Sequence, residues 1–178
     1  MDCMNETIQL ADASQSVAIA ALVNKAYRPE AGAAGWTHES ELLAGDRTSS
    51  GQVENLFGPK SLVLVAMRGN EIVACVHVEH DVQDCWIGML ATLPKEQNTG
   101  VGKRVLMAAE AFAIERFAPK RLMMSVLSLR PELLSFYQRR GYQLTSEDTD
   151  YPWEAGVGTP LVTELRLLEL SKLPYVSA

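Results

Sequence analysis

The chain has 178 residues, of which 47% are hydrophobic and 21% are charged. This composition is typical of one globular domain and excludes a disordered, collagenous or low-complexity protein. Lys and Arg number 16 against 22 Asp and Glu, which gives a formal net charge of -6 and excludes a broad basic surface for nucleic acid. We therefore expect residues 1–178 to form a single domain that does not bind nucleic acid.

The cysteines and the N-terminal residues bear on the compartment. Cys3, Cys75 and Cys85 are too few and too scattered for a disulfide framework. The first ten residues include Asp2 and Glu6 and lack the basic and apolar regions of a secretory signal. No apolar run approaches the roughly 18 residues that a membrane-spanning helix needs. We therefore expect a cytoplasmic protein with reduced, buried thiols and no membrane association.

The N-terminal third predicts a strand and a helix. Thr7 to Leu10 is β-prone, and Asp12 and Gln15 have the spacing of a helix capping box. Apolar residues at helical spacing then continue to about Tyr27. The following stretch, rich in Gly, Ala, Ser and Thr, is predicted to be irregular, with a short helical piece at His38 to Leu43.

The remaining elements predict a mixed sheet flanked by helices. Three β-rich segments separated by turns form consecutive antiparallel neighbours, and a helix from Val101 to about Phe117 crosses over to a further strand. This order predicts an α+β fold with one βαβ crossover. The predicted segments are the strands Leu62 to Met67, Ile72 to Val78, Cys85 to Thr92, Leu122 to Leu127, Tyr142 to Leu144 and about Val162 to Leu170, and a helix at Pro131 to Arg140.

The loop before the long helix contains Gly100 and Gly102. Two glycines let the backbone approach a ligand closely, and the free amides of a helix N-terminus favour an anion. The alternative is an ordinary strand-to-helix turn. A Walker loop would need Gly at position 97 and a hydroxyl at 104, where Gln97 and Arg104 stand. A dinucleotide fingerprint would need Gly at position 105, where Val105 stands.

Two motifs together resemble the GNAT N-acetyltransferases. The spacing Gln97-x-x-Gly100-x-Gly102 after a strand that ends in Leu-Pro is similar to the acyl-CoA pyrophosphate loop of that family. Further along, Phe136-Tyr137 and Gly141-Tyr142 match the end of its N-x-x-A-x-x-F-Y-x-x-x-G-F signature. Arg130 and Leu133 replace the usual Asn and Ala, which puts the cofactor contact made by that Asn in doubt.

The resemblance implies a fold, a co-substrate and a set of binding residues. It implies one GNAT-like domain, an α/β/α sandwich whose mixed, mostly antiparallel sheet has splayed central strands. It also implies acetyl-CoA as co-substrate without a metal, and direct transfer of the acetyl group to a primary amine in a ternary complex. Pantetheine would pair with the splayed strand and pyrophosphate with the loop amides, which gives as binding residues Leu90, Ala91, Thr92, Gln97, Asn98, Thr99, Gly100, Val101, Gly102 and Lys103.

The same resemblance assigns two catalytic tasks. A backbone amide near Leu90 would stabilise the carbonyl oxygen, and the Tyr137 phenol would protonate the departing thiolate. The alternative for Tyr137 is an aromatic residue that packs the short helix onto the sheet. Cationic residues near the two motifs would help to hold the anion, or would form a solvated helix face: Lys95, Lys103, Arg104, Arg139 and Arg140.

The sequence leaves the general base and the acceptor open. Titratable residues at one hairpin and in segments that could line the acceptor side are His77, Glu79, His80, Asp81, Asp84, His38, Glu39 and Glu154. None of their spacings is that of a zinc site. Trp36, Trp86 and Trp153 are candidates for the wall of an acceptor pocket, with a core or surface role as the alternative.

The expected partner is an amine acceptor, either a small molecule or a peptide. The acidic balance of the chain favours a cationic amine by electrostatic steering. The alternative function is a catalytically silent module that binds acyl-CoA or another partner through the same fold. An exposed sheet edge near the last strand would allow a homodimer.

Overall fold

The computed structural model describes residues 6–29 and 39–174. The predictions for Cys3, Trp36 and His38 lie outside these residues. The helices are α1 (Ser16–Tyr27), α2 (Ser50–Glu54), α3 (Val101–Phe117) and α4 (Pro131–Gln138). The strands are β1 (Glu6–Leu10), β2 (Leu43–Ala44), β3 (Ser61–Arg68), β4 (Glu71–Asp81), β5 (Asp84–Thr92), β6 (Leu122–Leu127), β7 (Gln143–Asp150), β8 (Thr159–Pro160) and β9 (Arg166–Lys172).

The main sheet has the strand order β1-β3-β4-β5-β6-β9-β7. All its neighbouring pairs are antiparallel except β5 and β6, which α3 connects as the predicted crossover. Four consecutive residues are buried in β3, Val63 to Ala66, and four in β4, Val73 to Val76. Because neighbouring side chains of a strand point to opposite faces, such runs require a cover on both faces of the sheet. The predicted α+β sandwich is thus confirmed.

Local signals placed the capped and strongly periodic elements correctly. Asp12 and Gln15 form the predicted capping box, which opens a short 3-10 turn that leads into α1. The bounds of α3 and β6 coincide with those predicted. The short helical piece predicted up to Leu43 is wrong over the described residues, because Leu43 begins β2, which pairs with β8.

The C-terminal strands differ most from the prediction. β9 begins at Arg166, later than predicted, and inserts between β6 and β7. The last strand is therefore internal. The strand at this edge of the sheet is β7, which is longer than the predicted segment. Asp148 and Asp150 of this edge both pair with Arg166 of β9, at 2.6 Å each, so their charges do not by themselves prevent pairing with an identical edge. Homodimerisation thus stays a prediction.

Candidate active site

The central strands of the sheet part at their C-terminal ends. β5 and β6 pair only at Cys85 with Leu122 and at Trp86 with Met123. Beyond these pairs β6 continues alongside β9 to Leu127, while β5 runs on to Thr92 next to β4. The gap between the two strands opens towards the start of α3. This is the predicted splay of the central strands.

β5 carries a bulge at the point where the strands part. Its register against β4 shifts by one residue between Gly88 and Ala91, and Met89 lies at φ 50°. The carbonyl oxygen of Leu90 accepts a hydrogen bond from the Tyr27 hydroxyl at 2.6 Å. Such a bulge leaves an extra residue outside the ladder and turns its backbone towards the adjacent space.

The loop after β5 turns sharply into α3. Asn98 lies at φ 68° and Gly100, the N-cap residue, at φ 85°. A Cβ atom on Gly102 would lie 3.1 Å from Thr92 Oγ1, so a larger residue would crowd the end of β5. The first amides of a helix have no partner within the helix and form an anion-binding surface. The loop thus presents backbone amides at the start of α3.

Two cavities adjoin this part of the molecule. The first, of about 460 Å³, is bounded by the loop and by α4, and the second, of about 290 Å³, lies between β5, β6 and the segment around Tyr151. The two share four wall residues: Tyr27, Leu90, Leu133 and Tyr137. The two cavities are therefore adjacent at the bulge of β5.

Most of the predicted binding residues border the first cavity. They are Leu90, Thr92, Gln97, Asn98, Gly100, Gly102 and Lys103. Ala91 and Val101 do not line it, because their side chains are buried in the core. The Thr99 hydroxyl is bonded to the Glu96 carbonyl at 2.7 Å. Ala91 and Val101 thus offer a ligand only their backbone, and the Thr99 hydroxyl has already donated its proton to this hydrogen bond.

The predicted cationic cluster divides into two groups. Lys103, Arg139 and Arg140 line the first cavity. Lys95 instead pairs with Glu71 at 2.9 Å, and Arg104 binds both carboxylate oxygens of Glu6. Arg140 stacks on the Phe136 ring, and its Nε is buried without a hydrogen-bond partner among the residues described. Burial lowers the pKa of Arg140 below its usual range.

Tyr137 lies on α4 at the wall shared by the two cavities and is 7% exposed. Its ring packs edge-on against Phe136 and Tyr142. Within residues 6–29 and 39–174 the hydroxyl has no hydrogen-bond partner, so it is available to a ligand. Burial raises the pKa of Tyr137, which keeps the phenol protonated throughout the neutral range.

Arg130, which replaces the usual Asn of the motif, is buried in an ion-pair network. It pairs with Glu132 and approaches Glu39 at 4.0 Å, and Glu39 also pairs with Arg28 at 2.9 Å. Arg28 in turn donates to the Val157 carbonyl oxygen. The network joins α1 and α4 to the segment after Tyr151, and no local pattern of the sequence indicates it. Arg130 lines neither cavity.

Three of the described candidates for the base or the pocket wall line the second cavity. Glu39, His77 and Trp86 line it, whereas Trp153 is 67% exposed and lies outside the lining. The remaining hairpin and acceptor-side candidates do not line it: Glu79, His80, Asp81, Asp84 and Glu154. In the described part of the chain no three His, Cys, Asp or Glu side chains are grouped to hold a metal ion.

The hydrogen bonds of His77 define its tautomer. The Ser61 hydroxyl donates to the Leu56 carbonyl oxygen at 2.6 Å, so its oxygen accepts from His77 Nε2 at 2.7 Å. Nε2 therefore carries the proton and Nδ1 the lone pair. Burial lowers the pKa of His77 to about 4, so the ring is neutral at pH 7.

This low pKa predicts an acid-sensitive fold. Between about pH 6.5 and pH 4 the unfolded chain binds a proton at His77 that the folded chain does not, so stability falls as pH falls. The expected loss is about 3 kcal/mol. We expect His77→Gln to flatten the urea-unfolding free energy over this range relative to the wild type. His80→Gln, at the Phe117-stacked histidine of the same strand, is the control. Equal pH slopes in wild type and His77→Gln would contradict the assignment.

Cys75 and Cys85 are free and buried. Burial raises the pKa of the Cys75 thiol to about 12 and that of Cys85 to about 11. Neither thiol lines a cavity described above, and a protonated, buried thiol is a poor nucleophile. The prediction of unreactive thiols agrees with this environment.

Comparison with protein-family models decides the relationship. The model described as "Acetyltransferase (GNAT) family" matches residues 20–142, which include most of α1 and all of the bulged strand, the loop and α4. The chain belongs to the GNAT acetyltransferase family. The resemblance drawn from the two motifs is therefore confirmed, and the fold is that of a GNAT acetyltransferase.

Solved GNAT structures agree in fold over nearly the whole chain. The ribosomal-protein-S18-alanine N-acetyltransferase of Escherichia coli is 13% identical, with a TM-score of 0.70 over 98% of this chain and 97% of the other. An N-acetyltransferase of Staphylococcus aureus is 10% identical, with a TM-score of 0.71 over 95% and 97%. A GNAT acetyltransferase of Elizabethkingia anophelis with acetyl-CoA bound is 19% identical, with a TM-score of 0.65 over 95% and 98%.

A comparison with curated proteins gave no match. Among the described residues, no helix combines the length and the apolar character needed to span a membrane.

Proposed function

We propose that this GNAT acetyltransferase forms one domain over residues 1–178 and transfers the acetyl group of acetyl-CoA to a primary amine. The observation that carries the proposal is the wall common to the two cavities. Leu90, on the bulge of β5, and Tyr137 line both cavities, so they would lie between a diphosphate bound at the loop and an acceptor in the second cavity. The solved structure of a similar fold with acetyl-CoA bound supports the same choice of co-substrate.

The first cavity would hold the coenzyme. The amides of residues 98–103 would bind the pyrophosphate, assisted by the positive end of α3. Lys103, Arg139 and Arg140 would add charge from the rim of the same cavity. The edge of β5 from Leu90 to Thr92 would pair with pantetheine, because β6 does not pair with it there.

The second cavity would hold the acceptor. The neutral amine would attack the thioester carbon, so that a C–N bond forms and the C–S bond breaks without an acyl-enzyme. The backbone amide at the Leu90 bulge would donate to the carbonyl oxygen as it gains charge. Tyr137 would give its proton to the departing thiolate, the amine nitrogen would release its proton to water, and water would return a proton to the Tyr137 oxygen.

A thiol-release assay tests the proposal. Acetyl-CoA is supplied with a panel of neutral, cationic and carboxylate-bearing primary amines, and each acetylated product is identified by mass spectrometry. We expect CoA release that depends on both the protein and an amine. A catalytically silent module would instead bind acetyl-CoA in calorimetry and release no CoA with any acceptor, and that result would contradict the proposed activity.

A further inference from the structure

Among the described residues that line the second cavity, the charge left without an ion-pair partner is positive, opposite in sign to the net charge of the whole chain. Among the described side chains that line it, Glu39 is the carboxylate and Arg47 is the permanent cation. Glu39 is 8% exposed and already pairs with Arg28, with Arg130 close by. Its negative charge is therefore satisfied within the protein, and no described carboxylate of the lining remains to attract a second cationic group of an acceptor.

Arg47 differs from Glu39 because it makes no ion pair with any described residue. Its guanidinium lies over the ring of Tyr27, with 5.8 Å between the guanidinium carbon and the ring centroid. Tyr27 belongs to the wall shared by the two cavities. An anion on Arg47 would thus lie near the Tyr27 ring, whose hydroxyl donates to Leu90 at the bulge of β5, where the reacting groups would meet.

The backbone of Arg47 is fixed rather than free. The Asn24 side chain on α1 accepts hydrogen bonds from the amides of Arg47 and Thr48 at 2.8 and 3.1 Å, and donates to the Thr48 carbonyl at 2.9 Å. Three bonds from one amide side chain hold this segment against α1. The arginine is therefore presented to the cavity from a positioned backbone, which lowers the entropic cost of binding through it.

The rest of the lining is largely apolar, and the space is small. Leu43, Leu127 and Tyr151 form a buried cluster beside it, to which Val157 and Leu167 add partly buried surface. The volume of about 290 Å³ suits a small molecule better than a folded protein surface. A suitable ligand therefore combines a hydrocarbon body with one anionic group.

From this geometry we infer that the acceptor is a small primary amine that carries a carboxylate, an apolar amino acid or a close analogue, whose carboxylate pairs with the guanidinium of Arg47. The inference rests on the proposed acetyl transfer. It replaces the cationic acceptor that the net charge of the chain favours. A planar guanidinium binds a carboxylate through two parallel hydrogen bonds, which also orients the amine.

Matched acceptors test this inference. L-leucine, L-methionine and L-phenylalanine are compared with their carboxamides, which keep the shape and remove the charge, and with cadaverine, which adds a second cation. We expect kcat/KM for acetyl transfer to be about 10- to 100-fold higher for the amino acids than for their amides. The amines of the amides are less basic, so at neutral pH a larger fraction of them is unprotonated and able to attack. Without a contact to the carboxylate, the amides would therefore be the better acceptors.

In Arg47→Gln we expect kcat/KM for each amino acid to be nearly equal to kcat/KM for its amide. Arg116→Gln removes an exposed arginine that also lies over an aromatic ring, Phe117, but lines neither cavity. It should retain the wild-type ratio. Binding of L-leucine to the protein loaded with desulfo-CoA, measured by calorimetry, reads the same contact without chemistry and should weaken by a similar factor in Arg47→Gln.

The outcomes separate the inference from the proposed function. Transfer to amides or cadaverine as efficient as transfer to the amino acids would overturn the inference and leave the acetyltransferase activity standing. If no acceptor caused CoA release, but leucine binding still depended on Arg47, the proposed activity would be overturned and the carboxylate site would be kept. An unchanged ratio and unchanged leucine binding in Arg47→Gln would overturn the role of Arg47.

Discussion

Replacing Tyr137 with phenylalanine is expected to lower kcat for acetyl transfer by about 100-fold or more while the dissociation constant for acetyl-CoA stays within about threefold of the wild type. The phenol is the hydroxyl at the wall shared by the two cavities that has no described hydrogen-bond partner. Phenylalanine keeps the ring that packs against Phe136 and Tyr142. Steady-state rates and calorimetry measure the two quantities separately.

Tyr142→Phe is the matched control for this prediction. Tyr142 follows the same helix, and its hydroxyl donates to Glu110 at 2.9 Å, away from both cavities. Loss of the Tyr142 hydroxyl should lower the free energy of unfolding by about 1 to 2 kcal/mol and leave kcat close to that of the wild type. A Tyr137→Phe enzyme with wild-type kcat would remove Tyr137 from the mechanism and assign it to packing alone.

Replacing Gly102 with aspartate is expected to weaken acetyl-CoA binding by about 100-fold. A Cβ at this position already lies 3.1 Å from Thr92 Oγ1. The added carboxylate would stand in the first turn of α3, where it would repel a diphosphate and compete for the same amides. Isothermal titration calorimetry with acetyl-CoA measures the change directly.

Two further variants separate charge, size and folding. Gly102→Ala adds the Cβ without the charge and should weaken binding by no more than about tenfold. Gly58→Asp adds the same charge at an exposed glycine whose Cβ would meet no atom within 4 Å, and it should bind acetyl-CoA like the wild type. Circular dichroism checks that each variant is folded. Tight binding by a folded Gly102→Asp protein would contradict the placement of the pyrophosphate.

The part of the site that depends on consecutive residues was predictable. The end of β5, the glycine-containing loop and the start of α3 are adjacent in the chain, so turn chemistry and helical periodicity indicate them locally. The same holds for Tyr137, which a short motif places on α4. These segments carry their own backbone signals, and the structure brings them together around the first cavity.

The acceptor side was not predictable for a physical reason. Glu39, Arg28 and Arg130 come together from distant parts of the chain, and the insertion of β9 between β6 and β7 is a long-range pairing. Neither has a periodic signal in the sequence. The net charge of the chain did not predict the charge of the second cavity either, because the charge of a cavity is set by the few side chains that line it. Here these are Arg47 and Glu39, and Glu39 is paired with Arg28.

The net charge of -6 and a loop for a diphosphate are compatible for a similar reason. The loop presents backbone amides, whose partial charges do not enter the count of ionised side chains. Arg104 and Lys95, which add to the formal balance near the loop, pair with Glu6 and Glu71. The proposed anion site would therefore depend more on the conformation of residues 98–103 than on the number of basic residues around it.

A crystal structure with acetyl-CoA and the deaminated analogue of the preferred acceptor amino acid, which cannot be acetylated, is the decisive measurement of the proposed site. We expect the pyrophosphate on the amides of residues 98–103, the thioester sulfur within hydrogen-bonding distance of Tyr137 Oη, and the acceptor carboxylate on Arg47. Coenzyme bound elsewhere, or a thioester remote from the wall that the two cavities share, would contradict the proposed coenzyme site and the role of Tyr137.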